Sequence, residues 1–210
     1  KKISKSITAL SKAPIYIDDC KTNDLNSLCN IIRSMHIQYG IKQVFIDYIQ
    51  LIGTDKKNAN REEQLGDIAR AFKNIAKELN INVTALSQLN RELTKRGSPE
   101  PKMSDLRGSG QLEEAADVIL FPYRPEHYGI TEFTNEMGQP DGSTIGKANL
   151  IIAKGRNIGV ATMRMRFDKE FTRFADEHNS FSYATDDTTT MDANTGFLNE
   201  KTSKDEPTPF

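Results

Sequence analysis

Asp47 closes the apolar run Val44-Phe45-Ile46. A carboxylate at the end of a buried strand is a Walker B pattern, able to hold a magnesium ion, through water, against nucleotide phosphates. The plain alternative is a strand-end Asp that caps or solubilises. Gln88 ends the next apolar run, Val83-Thr84-Ala85-Leu86. Its amide both donates and accepts, so it can orient a water or sense a γ-phosphate, or merely bond the loop backbone. Lys154 and Arg156 flank Gly155 at the end of a later run, and strand alternation puts both on one face. Such a pair can reach a phosphate, even across a subunit boundary as an arginine finger. A solvated hairpin tip is the other reading. Arg107, Gly108 and Gly110 open a helix, where backbone N–H groups and a guanidinium suit a phosphate. Arg91, Lys95, Arg96 and Lys102 precede them, and this basic loop could track a nucleic-acid backbone. A capped helix after a surface loop accounts for the same residues.

These side chains need elements to hold them, and apolar spacing predicts those elements. Ile15-Tyr16-Ile17 reads as a first short run, stopped by Asp18-Asp19. Leu25, Leu28, Cys29, Ile32 and Met35 recur at helical spacing up to Gly40. A second amphipathic helix carries Leu65, Ile68, Ala69, Phe72, Ile75, Ala76 and Leu79. Asp105 is a plausible N-cap for a helix through Ala116, and Val118 to Phe121 reads as a fourth strand. Strands alternating with helices predict a parallel α/β sheet with both faces covered. Ligands of such sheets bind beyond the carboxyl ends of strands, where Asp47, Gln88, Lys154 and Arg156 stand. Glu126 to Lys147 reads as a surface insertion. Leu150 to Ala153 and Val160 to Phe167 read as a late β-hairpin, with Met163, Met165 and Phe167 alternating against Arg164, Arg166 and Asp168.

Composition bounds the rest. With 37% hydrophobic and 27% charged residues, the chain is globular rather than fibrous. No run nears the ~18 apolar residues of a membrane span, and no signal peptide is visible. Cys20 and Cys29 fit neither a disulfide scaffold nor a zinc pattern, which suits a reducing, cytoplasmic setting. From Ala175 to Phe210 there are eight acidic and two basic residues, a local charge of −6 within a total of −1, leaving +5 for the body. A mildly basic body with an acidic tail is compatible with a nucleic-acid partner. The expected boundary puts a body over residues 1–174 and an acidic, mostly disordered tail over 175–210.

Taken in order, the motifs resemble one family. Val44-Phe45-Ile46-Asp47-Tyr48-Ile49-Gln50-Leu51-Ile52 is similar to the "IDYLQL" Walker B segment of DnaB-type replicative helicases, and Ala85 to Arg91 to their "ALSQLNR" motif. Ser104 to Glu113 resembles "SDLRESGAIEQDAD", Ile151 to Asn157 "IIAKQRNG", and Phe171-Thr172-Arg173-Phe174 the closing "YTRF". Five motifs in order and at family spacing, over about residues 1 to 174, are far more specific than any one alone. The resemblance implies a RecA-like ATPase core with a C-terminal β-hairpin, assembled as a homo-hexamer at the replication fork. The ring would use ATP and Mg2+ to move on single-stranded DNA and unwind duplex, with primase and a helicase loader as partners and no membrane. It makes Asp47 the magnesium carboxylate and Gln88 the γ-phosphate-linked residue. It gives Lys154, Arg156 and Arg173 to the nucleotide, the first two from a neighbouring subunit, and Arg107, Gly108 and Gly110 to DNA.

The chain departs from the family in places. No Gly-Lys-Ser/Thr phosphate loop occurs, and Lys147 after Gly146 lacks its spacing. In the family that loop and the water-activating glutamate lie upstream, so both are expected before Lys1, and this chain alone is expected to be inactive. Gly108 replaces a usual Glu, Ile158 follows Asn157 where Gly is usual, and the stretch between Tyr123 and Lys147 is long. Two other readings stand beside the helicase. One is a recombinase-type RecA-like DNA-dependent ATPase. The other is a non-enzymatic DNA-binding or ring-assembly module.

Overall fold

Local end signals and apolar stripes build the first half of the molecule. A computed structural model describes residues 7–8, 10–19, 24–54, 60–90, 93, 96–106, 109–135 and 137–177. Helix α1, Leu25–Tyr39, starts where Asp24 accepts the Ser27 N–H at 2.8 Å and stops at Gly40, whose φ is 65°. Helix α2, Arg61–Leu79, opens on Asn60, which accepts the Glu63 N–H at 2.8 Å. Its Leu65, Ile68, Phe72 and Ile75 are buried along one stripe. Strand β1, Gln43–Ile46, runs parallel to β2, Asn82–Ala85, with Ile46 opposite Ala85. Parallel neighbours need a crossover, and α2 supplies it. Its stripe packs with Cys29, Ile32, Ile46, Ile49, Ile52 and Leu112 into one core.

The second half is antiparallel. Helix α3, Ser109–Ala115, leads into β3, Val118–Tyr123. A small hairpin follows, β4 (Glu132–Thr134) with β5 (Pro140–Ser143), and then β6 (Lys147–Gly155), β7 (Ala161–Asp168) and β8 (Arg173–Asp176). The order in the four-stranded sheet is β3-β6-β7-β8. One face of β3, Ile119 and Phe121, packs with Leu106 in a second core.

Several local expectations change. Ile15-Tyr16-Ile17 forms no strand: Ile15 and Ile17 are exposed, and Tyr16 stacks on Tyr39 with ring centroids 4.1 Å apart. Asp105 does not cap the following helix. It ends a 3-10 turn, Met103–Asp105, and its buried carboxylate accepts from the Lys102 N–H and from Arg96, each at 2.7 Å. The strand from Val118 pairs antiparallel with β6, so among the described strands only β1 and β2 pair in parallel, beside an isolated parallel bridge between Asp24 and Gly53. The expected surface insertion is itself structured: Phe133 and Thr144 are buried and Glu126 accepts the Gly146 N–H at 3.1 Å. The hairpin forms as expected, with β6 and β7 in antiparallel register from Lys147–Arg166 to Ile152–Ala161. Strand β8 carries order through Asp176, past the expected boundary after residue 174. From residue 178 onward the expected acidic tail lies outside the described residues.

Candidate functional site

Asp47 and Gln88 are brought to one place by the parallel register. Ile46 and Ala85 end their strands side by side, and the backbone then laces across: Leu86 donates to the Ile46 carbonyl at 2.9 Å and Ile49 to the Leu86 carbonyl at 3.0 Å. Gln50 completes the brace. Its Nε2 donates to Ser87 Oγ at 2.9 Å and to the Gln88 carbonyl at 3.3 Å, and its Oε1 accepts the Gln88 N–H at 3.2 Å. One amide therefore fixes the backbone of Gln88 from both sides. Arg61, the first residue of α2, holds the same turn from behind, donating to the Gln50 carbonyl at 2.7 Å and the Ile52 carbonyl at 3.3 Å. Asp47 and Gln88 themselves are exposed. The arrangement is a rigid, braced ledge presenting one carboxylate and one amide.

That ledge suits magnesium in a particular way. The ion keeps most of its water and takes one or two carboxylates together with phosphate oxygens. A lone exposed carboxylate at a strand end fits that role. Among the described residues no group of three or more His, Cys, Asp and Glu side chains forms a dedicated metal cage.

Lys154 and Arg156 form a second group at the far end of β6, facing α3. Lys154 Nζ donates to the Glu113 carbonyl and Arg156 to the Glu114 carbonyl at 3.3 Å. Both cations therefore lie on one face, as alternation implies. Arg156 also lies 3.4 Å from Asp117, whose other carboxylate oxygen accepts from Lys73 of α2. The Lys73 hydrogen bond, with the charges of Lys73, Arg156 and Lys154, holds the Asp117 carboxyl below its usual range. Gly155 between the cations has a steric cause: a Cβ there would stand 2.4 Å from the Gly159 carbonyl oxygen.

Arg173 is not brought to this group. It opens β8 opposite Asp168, at the other end of the antiparallel sheet. At ~3.3 Å per residue that places it on the order of 30 Å from Lys154. Gly110 is exposed in the first turn of α3, whereas Arg107 and Gly108 lie outside the described residues. Sequence reasoning missed Arg61 as a brace, and Lys73 and Asp117 as neighbours of Arg156. Arg61 carries a partial signal, since a cation opening a helix is contrary to the usual charge preference there.

A profile of the DnaB-like helicase C terminal domain family matches residues 1–176. A "probable plasmid replicative DNA helicase" of Chlamydia psittaci is 39% identical over 167 residues, 80% of this chain and 34% of that protein. The solved ATPase domain of G40P superposes with a TM-score of 0.72 at 35% identity, covering 83% of this chain and 59% of that one. A solved DnaB-like replicative helicase, described with its interactions with primase, gives a TM-score of 0.71 at 36% identity, covering 83% and 40%. The chain spans about a third of the curated relative's length.

Proposed function

Because the chain belongs to the family of DnaB-like helicase C terminal domains, we propose that it is part of an ATP-driven replicative DNA helicase. The intact protein would form a homo-hexameric ring that moves on single-stranded DNA and separates duplex ahead of it. A core similar to RecA-like ATPase domains supports the motor class. The observation that carries the reading is the braced ledge of Asp47 and Gln88, held by Gln50 and Arg61. Among the described residues neither side chain makes a hydrogen bond or ion pair, while the Gln88 backbone is held by Gln50 and the adjoining turn by Arg61.

The roles follow from chemistry. Asp47 would hold magnesium through its water shell, and the ion would supply charge that screens the phosphates of bound nucleotide. Gln88 senses the terminal phosphate and couples it to the strand ends through Gln50. Lys154 and Arg156 act on nucleotide held by a neighbouring subunit, which fits their contacts within this chain being to α3 and Asp117 and not to the ledge. Arg107, Gly108 and Gly110 meet the DNA backbone, where a guanidinium and close main-chain approach suit phosphate. Arg173 lies too far along the sheet for the nucleotide served by Lys154, so its contact would be with a different neighbour. Primase, named with one structural relative, and a loader are the partners of the intact ring.

The test is Arg156→Ala in the intact protein. DNA-stimulated ATP turnover should fall by about 10³-fold, the scale of a lost arginine finger. Binding of a fluorescent ATP analogue should persist. Wild-type turnover would overturn the assignment.

A further inference from the structure

Asp117 sits in the two-residue link between α3 and β3 and makes contacts in three directions. Its carbonyl accepts the Arg156 N–H at 2.9 Å. One carboxylate oxygen lies 3.4 Å from the Arg156 guanidinium, and the other accepts from Lys73 Nζ. The adjoining helix end takes the remaining capacity: the carbonyls of Glu113 and Glu114 accept from Lys154 and Arg156. Carbonyls in the last turn of a helix lack intrahelical partners, so they are ready acceptors for cations.

Both cations are thus occupied on their own subunit. The contacts are of a kind that gives way easily. Arg156 and Asp117 are each about half exposed, with side-chain accessibilities of 53% and 51%. Ion pairs in that setting are weak, because solvent screens them and side-chain entropy opposes them. A triphosphate carries several charges and offers bidentate acceptors to a guanidinium, so it outcompetes such a contact. Lys73 makes the exchange easier. It is the less exposed partner, at 23%, and it remains on Asp117 when Arg156 leaves. The carboxylate is then still paired, and no bare negative charge is left facing an incoming polyanion.

We propose that Asp117 is a stowing residue that holds Arg156, and with the α3 end Lys154, on their own subunit until nucleotide draws them across the interface. Lys73 sets the strength of that hold by sharing the carboxylate. The proposal rests on the reading that Lys154 and Arg156 serve a neighbour's nucleotide. Asp117 acts through Arg156 and is a positioning residue, not a catalytic one.

The hold competes with nucleotide, so its removal and its strengthening move the KM for ATP in opposite directions. In the intact ring with saturating single-stranded DNA, Asp117→Asn frees Arg156 and should lower KM about two- to five-fold, the range of an exposed pair. Lys73→Gln leaves Asp117 to Arg156 alone and should raise KM by a similar factor. In the Asp117→Asn background, Lys73→Gln should do nothing further, because its effect passes through the carboxylate. Asp117→Glu keeps the charge and should return KM towards wild type. Simple structural damage would move both single variants the same way, and that result, or an unmoved KM in both, overturns the proposal. An opposite pair of signs, with Asp117→Asn raising KM, would overturn it too and make Asp117 a presenter of the finger. Arg156→Ala separates the layers. If that variant turns over normally, the trans role itself is wrong. If it is inactive while the Asp117 and Lys73 variants are silent, only the stowing contact is.

Discussion

Gly155 shows how one missing side chain positions two others. A Cβ at this residue would meet the Gly159 oxygen and Ile158 Cγ1, each at 2.4 Å. The Gly159 N–H also donates to the Gly155 carbonyl at 3.1 Å, closing the turn tightly around Gly155. Gly155→Ala must therefore push backbone apart, at a cost of about 1–3 kcal/mol typical of overpacking. In the intact protein we expect a lower thermal midpoint and reduced ATP turnover, with calorimetry and a steady-state assay as the checks. Unchanged values in both would mean that the turn relaxes freely. At this scale much was legible in the sequence. Asp47, Gln88, Lys154 and Arg156 stand where type and strand position put them. Their supports were not legible, for a physical reason. Gln50 reaches Gln88 across 38 positions and Lys73 reaches Asp117 across 44, and no periodicity encodes contacts that only the assembled fold creates.

Helices α1 and α2 were legible as elements from their apolar stripes, and α1 also from Gly40 at its end; the N-caps Asp24 and Asn60 emerge only in the fold. Ile15-Tyr16-Ile17 misled because three apolar residues alone do not say whether a strand partner exists; here the segment is tied by one ring stack to Tyr39. Asp105 misled because a carboxylate before a helix can serve any nearby donor, and Lys102 and Arg96 were closer. The contact between α2 and α3 rests on Gly66. Built as alanine, its Cβ would fall 1.5 Å from Gln111 Oε1 and 2.9 Å from Gln111 Cβ. The side-chain end of Gln111 can swing away, but its Cβ is fixed to the α3 backbone. Gly66→Ala should therefore prise the helices apart despite its better helix propensity. A loss of about 1–3 kcal/mol in denaturant unfolding is expected. A gain of stability would show that helix propensity wins and that α3 is free to shift.

Across the whole molecule, charge is partitioned. Residues 125–146, which hold the β4–β5 hairpin, contain four acidic residues and no Lys or Arg. That hairpin is anchored, since Lys169 pairs with Glu126 and Arg164 with Asp141, and Arg164 lies over the Phe133 ring at 4.3 Å. A negative appendage held this firmly is unfavourable beside a phosphate backbone. The α/β class was legible because strands and helices alternate. The division into a parallel pair and a separate antiparallel sheet was not, because apolar runs carry no information about strand direction.

The parallel pair has a consequence for handling the chain. Phe45 is 67% exposed and Leu86, just past β2, 46%, while Val118 and Leu120 of β3 are 44% and 48%. Parallel strands normally have both faces covered, and among the described residues this sheet has two strands, so its edges and apolar side chains are a template for further strands. Produced alone at micromolar concentration, these 210 residues should behave as sticky protein: turbid on warming, bright with a dye that reports apolar surface, and drawn to chaperones. Phe45→Thr together with Leu86→Thr should clear the turbidity measured by light scattering. Persistent clouding in that double variant would trace the adhesion to another surface.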